Sequence, residues 1–136
     1  MRVLFVCIPR EGHLAPLVPI ALALREAGHE VAFATGARFN PQVEQAGFQA
    51  FAAGVEATEW ADELGKVWES MVPGSTNDEI MTAFGEYVFG GTVAMRFIED
   101  LPNVLEAWPA DLIVHEDTAL GRRWRPSTLV YRMRAS

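Results

Sequence analysis

The segment Met1–Gly36, MRVLFVCIPREGHLAPLVPIALALREAGHEVAFATG, constrains the fold more than any other part of the chain. Val3 to Ile8 is an unbroken apolar run with three β-branched residues, the pattern of a parallel strand covered on both faces. Pro9-Arg10-Glu11-Gly12 breaks the run. From Leu14 the apolar positions Leu17, Ile20, Ala21 and Leu24 recur at helical spacing. Pro16 suits the first turn of that helix, where its missing N–H has no partner to lose. Arg25 favours the last turn, Gly28 supplies a left-handed stop, and Val31 to Ala34 forms the next strand. This is a βαβ unit, expected to cross over with right-handed sense. Gly12-His13 therefore falls at the carboxyl end of the first strand, the edge where open α/β sheets bind ligands. The segment holds neither a dinucleotide fingerprint nor a phosphate-binding loop. What stands at this edge is an imidazole able to act as a base.

A chain of 136 residues, half of them apolar, is one domain with room for a proper core. No apolar run reaches the length of a membrane span, so no membrane partner is expected. MRVLFVCIPRE turns acidic and enters a helix too early for a secretory signal. The single Cys7 cannot form an internal disulfide, which suits a reducing cytoplasm, and it reads as a small core residue of the first strand. No cluster of His, Cys and Asp suggests a metal. The net charge of −7 is uneven: residues through Gly121 hold 6 basic and 18 acidic side chains, while Arg122–Ser136 holds 5 Arg and no acid. An acidic body argues against nucleic acid as the partner.

Further along, Asn40-Pro41 reads as an N-cap with proline at the first helical position, in a short helix that stops at Gly47. Phe48 to Ala52 makes a third strand, completing half of a doubly wound sheet. Trp60, Leu64, Val67, Trp68 and Met71 share helical spacing, as a stripe packed on the core or as the lining of an apolar pocket. Pro73-Gly74 breaks the chain, and Ser75-Thr76-Asn77-Asp78-Glu79 opens a helix that carries Ile80, Met81, Phe84 and Val88. Gly90-Gly91 reads as a bend before a second helical stretch, which Pro102 should kink or restart. Asp111 to His115 is the fourth strand. Glu116 and Asp117 follow it on the same sheet edge as His13, though both also suit a helix N-terminus. His115 reads as structural, and His29 lies at the far edge.

The run V-L-F-V followed by G-H-L-A-P and then A-G-H-E-V-A-F-A-T-G resembles the amino-terminal half of GT-B glycosyltransferases. It looks closest to the bacterial enzymes that place deoxysugars on macrolides, enediynes and other natural products, antibiotics among them. The likeness covers Met1 to Gly121 and is loosest between Glu56 and Gly90. It implies an α/β fold, a Rossmann-like parallel sheet with helices on both faces. It also implies inverting transfer of a hexosyl or deoxysugar unit to a hydroxyl of an apolar aglycone. His13 would be the base and Glu116 its orienting carboxylate, with Asp117 a near alternative. Glutamate replaces the commoner aspartate of this place. Arg10, Glu11, Gly12, Trp60, Trp68, Met71, Phe84 and Asp117 would line the acceptor site. The resemblance requires no metal and no cofactor, only a nucleotide-diphospho-sugar as co-substrate. In the family that donor sits mainly on a carboxyl-terminal domain, for which this chain has no recognisable counterpart, so the chain alone is expected to be inactive.

GRRWRPSTLVYRMRAS departs from the pattern, since an Ala/Leu-rich helix should follow the fourth strand. A GC-rich coding sequence read in a neighbouring frame can supply that helix. The expectation is a domain over 1–121 and an aberrant, frameshifted basic tail over 122–136 that packs poorly. Missing strands would leave a sheet edge exposed, favouring self-association. The competing reading is a non-catalytic α/β module that binds small molecules or a partner.

Overall fold

The structure, a computed structural model, describes residues 1–116, Ala119 and the backbone of Tyr131–Arg132. Four parallel strands form its centre: β1 (Arg2–Val6), β2 (Glu30–Thr35), β3 (Gln49–Ala52) and β4 (Leu112–His115), in the order β3-β2-β1-β4. Phe5 stands opposite Phe33 on one side and Val114 on the other. With neighbours on both sides, every residue from Val3 to Ile8 is fully buried. The two-residue period of a strand sends Val3, Phe5 and Cys7 to one face and Leu4, Val6 and Ile8 to the other.

The first face is covered by the short α1 (Glu11–Leu14), α2 (Val18–Glu26) and α3 (Asn40–Gln45), which bring Leu14, Ala21 and Val43 onto Phe5 and Phe33. Those two rings stack with centroids 5.0 Å apart. The second face is covered by α4 (Ala57–Ser70), α5 (Asn77–Ala83), a π-helical stretch over Phe84–Val93, and α6 (Ala94–Ala107). Val67, Val88, Phe97, Leu101 and Trp108 form its buried layer. This is the expected α/β fold, with helices on both faces of a parallel sheet.

Several local expectations are corrected. The first helix is split in two, because Pro16 cannot donate to the helical ladder, and Pro19 rather than Pro16 occupies the first turn of α2. Ile20, expected in the core, is 52% exposed. Successive helical residues rotate by about 100°, so Ile20 lies beside, not within, the stripe centred on Ala21. Phe39, not Asn40, caps α3, and Pro41 falls within its first turn. Gly90-Gly91 does not bend the chain: five-residue hydrogen-bond spacing carries the backbone through both glycines. A side-chain carbon on Gly90 would sit 3.0 Å from the carbonyl of Gly85, so the absence of Cβ eases this wider winding. α6 does not restart at Pro102 but runs through it as one element. Trp68 is 62% exposed and stands apart from the stripe that Trp60, Leu64 and Val67 bury.

Other expectations hold. Gly28 and Gly47 stop their helices at φ of 86° and 88°. Thr76 caps α5 in a reciprocal box with Glu79. Tyr131–Arg132 forms a two-residue β5 antiparallel to Leu112 and Ile113, an element absent from the sequence reading. The rest of the tail, with its expected poor packing, lies outside the described residues. No described helix is long and apolar enough to cross a membrane.

Candidate functional site

The strand order fixes where a site can form. From β1 the chain moves outward to β2 and β3, then returns to β4 on the other side of β1. The crevice outside the carboxyl ends of β1 and β4 is therefore the switch point of the sheet, where open α/β folds bind ligands. His13 and Glu116 meet there.

His13 is placed by its backbone. Arg10 N–H donates to Ile8 O at 2.8 Å, turning the chain sharply out of β1. Arg10 O then accepts from the N–H groups of His13 and Leu14, both at 3.0 Å, which closes α1. Leu14 is buried in the layer of Phe5 and Cys7 and pins the turn to the sheet. Glu116 is placed by the register of β4, whose His115 lies opposite Val6; Glu116 N–H donates to Val6 O at 3.3 Å. Its carboxylate then reaches two donors. Oε1 accepts from Ile8 N–H at 3.2 Å, and Oε2 lies 3.1 Å from His13 Nδ1. The imidazole side chain is 32% exposed and the carboxylate 15%. The ring is open to a substrate while its partner is held by the strand ends. An ionised carboxylate only accepts, so this geometry calls for a proton on Nδ1 and gives the lone pair to Nε2.

Around this pair, Arg10 caps α1 and is exposed, with its guanidinium 4.3 Å from the Trp60 ring centroid. Glu11 and Gly12 occupy the exposed first turn of α1. Trp60, Met71 and Phe84 are partly buried against the second core layer, and Trp60 also faces Phe89 at 6.3 Å. Trp68 stands away from them in solvent, and Asp117 lies outside the described residues. His115 Nδ1 lies 3.2 Å from the Glu116 carbonyl, in keeping with a structural role. Sequence reasoning missed the Ile8 N–H that holds Glu116, because a backbone donor leaves no trace in residue identity. Among the described residues no group of three or more His, Cys, Asp or Glu could hold a metal ion.

Cys7 lies beneath this site, buried and unbridged. Burial pushes its thiol up to about 12; the Glu116 charge adds to the rise and the Thr35 hydroxyl opposes it. The thiolate is the reactive form, so the folded protein should resist iodoacetamide at pH 8 and label only as fast as it opens. Rapid labelling without unfolding, read by mass spectrometry, would show Cys7 to be accessible instead. The raised value also works against stability in alkali. Its contribution is complete below the unfolded thiol's pKa and is lost as pH rises from there towards 12.

No protein-family model matches the chain. It is 34% identical over 124 residues to 4'-demethylrebeccamycin synthase of Lentzea aerocolonigenes, covering 88% of this chain and 28% of that protein. It is 30% identical over 122 residues to L-demethylnoviosyl transferase of Streptomyces niveus, covering 88% of this chain and 30% of the relative. The crystal structure of SsfS6, a glycosyltransferase of Streptomyces sp. SF2575, superposes with a TM-score of 0.74 at 28% identity, over 88% of this chain and 34% of SsfS6. SsfS6 has also been solved with thymidine diphosphate. The chain thus spans about a third or less of the length of these relatives. Over most of its own length it is a homologue of the natural-product glycosyltransferases and carries the α/β fold of their GT-B structures.

Proposed function

We propose that the chain is the acceptor half of an inverting natural-product glycosyltransferase, with His13 as the general base and Glu116 as the group that orients it. The observation that carries this reading is the 3.1 Å approach of Glu116 Oε2 to His13 Nδ1 at the switch point of the sheet. His13 Nε2 takes the proton of an aglycone hydroxyl as the oxygen attacks the anomeric carbon of a nucleotide-linked hexose or deoxyhexose. The nucleoside diphosphate leaves from the opposite face, which inverts the anomeric configuration. Glu116 holds the tautomer and stabilises the imidazolium that forms. Arg10, Glu11 and Gly12, in the turn that carries the base, together with Trp60, Trp68, Met71, Phe84 and Asp117, contribute to acceptor binding. A reducing cytoplasm suits the lone Cys7 thiol.

In this reading the donor sugar-nucleotide comes to the site on a second half; the relatives are about three times as long as this chain. The test pairs the chain with the carboxyl-terminal half of a homologous glycosyltransferase, in trans or by fusion. Transfer from a thymidine-diphospho-sugar to a panel of macrolide and other apolar natural-product aglycones is then followed by mass spectrometry, and the anomeric linkage by NMR. An inverted glycoside is the expected product. Aglycone binding with no transfer under any pairing would favour the non-catalytic module.

A further inference from the structure

Arg10 is set apart from the other cations of the described chain. Arg2, Lys66 and Arg96 each pair with a carboxylate, to Glu30, Glu63 and Glu59. Arg25 donates to the Gly47 carbonyl and lies over Phe48. Arg10 is exposed, has no carboxylate within ion-pair distance among the described residues, and sits with its guanidinium 4.3 Å from the Trp60 ring centroid. Among the described residues Arg38 also has neither an ion pair nor an aromatic platform.

The platform is firm. Trp60 lies in the first turn of α4, its backbone N–H donating to Glu56 O at 3.0 Å and its ring against Phe89; its indole Nε1 is buried without a hydrogen-bond partner among the described residues. Glu56 also accepts from Arg38 N–H at 3.3 Å, which ties the loop after β2 to the start of α4. A side-chain carbon on Gly36 would lie 2.7 Å from Val55 O and 3.1 Å from Pro9 Cγ, so the loops after β1, β2 and β3 are closely packed here. Arg10 itself caps the turn that carries His13. A guanidinium whose carbon lies over an indole ring is backed on one side by the aromatic face and still has N–H groups to offer a planar oxyanion, which it can bind with two parallel hydrogen bonds. In a body this acidic, an arginine that has no carboxylate partner among the described residues, in the turn that carries the base, is a charge placed for a ligand.

We infer that Arg10, braced on Trp60, is an oxyanion-recognition residue that selects ligands carrying a carboxylate or phosphate group next to the His13 centre. This rests on reading the cleft as a substrate site and adds the charge of the substrate. The oxyanion belongs either to an acidic acceptor or to the diphosphate of the donor. Calorimetric titration of the 136-residue chain distinguishes them with 1-naphthoate, its neutral isostere 1-naphthamide, and inorganic pyrophosphate as probes, while NMR follows the Trp60 indole resonance. Naphthoate is expected to bind about fivefold or more tightly than naphthamide and to shift Trp60. R10Q should bring naphthoate down to the affinity of naphthamide, and R10K, which keeps the charge without the planar fork, should retain part of the difference. Pyrophosphate binding that depends on Arg10, with no preference for naphthoate, supports the same residue with the donor as source. If pyrophosphate binds through Arg10 while neither naphthoate nor naphthamide binds, the aglycone reading falls and the oxyanion site stands. If neither anion binds, or if R10Q leaves anion affinity unchanged, the inference is overturned.

Discussion

Alanine at position 13, in a protein completed by a donor half, is expected to lower sugar transfer by about 10²–10⁴-fold while aglycone affinity changes little. The base acts only as the proton leaves the hydroxyl, so its loss falls on turnover and not on ground-state binding. Glu116→Gln gives the sharper result. Glu116 faces two donors, Ile8 N–H at 3.2 Å and the His13 Nδ1 proton implied at 3.1 Å. A glutamine amide offers one oxygen and one NH2 group, so it can accept from one donor and must oppose the other. Either the strand-end bond is lost or the imidazole is driven to the opposite tautomer. Transfer should fall by roughly 10²-fold or more even though the side chain keeps its shape. Wild-type turnover in His13→Ala would reduce His13 to a loop residue.

Gly54→Ala is the largest expected effect on stability. Gly54 adopts φ of 79°, and a Cβ there would fall 2.5 Å from the ring of Phe97, which is fully buried. The left-handed backbone costs a residue with Cβ about 1–2 kcal/mol. Overpacking a filled core adds about 1–3 kcal/mol. The sum, about 2–5 kcal/mol by urea denaturation, is a large fraction of a domain's stability. The Gly54 N–H also donates to Asp100 Oδ2 at 2.9 Å, so the backbone has little freedom to retreat. Shortening the obstacle should help: Phe97→Leu in the Gly54→Ala background is expected to destabilise less than in the wild type. A cost below about 0.5 kcal/mol, the range of ordinary surface changes, would mean that the chain does not pass so close to Phe97.

The central sheet was legible because burial on both faces leaves a plain mark: an unbroken apolar run from Val3 to Ile8, repeated in shorter form around Val31 and Ile113. His13 and Glu116 were legible for a related reason. Both lie at strand ends, and parallel pairing carries strand ends to one edge however far apart they are in sequence. Helix interiors were harder to read. Periodicity grouped Ile20 with Ala21 and Trp68 with Val67, yet neighbours in a helix point in different directions, and only packing decides which one the core keeps. The π-helical stretch was invisible because Gly90-Gly91 carries the signature of a break; continuity there depends on spacing between carbonyls, not on side chains. Gly54 gave no warning either, since its importance comes from Phe97, on a helix that packs back from the other end of the chain.

Whether Glu116 orients His13 can be read from the state of the imidazole ring, in the chain by itself. Nitrogen-15 NMR of ring-labelled protein, recorded at a pH where the imidazole is neutral, distinguishes the two tautomers. His13 is expected to carry its proton on Nδ1, with a hydrogen-bonded Nδ1–H signal, and Glu116→Gln to weaken this preference or reverse it. A His13 ring protonated mainly on Nε2, unchanged by Glu116→Gln, would mean that the carboxylate does not orient the imidazole, and the proposed base would lose its basis.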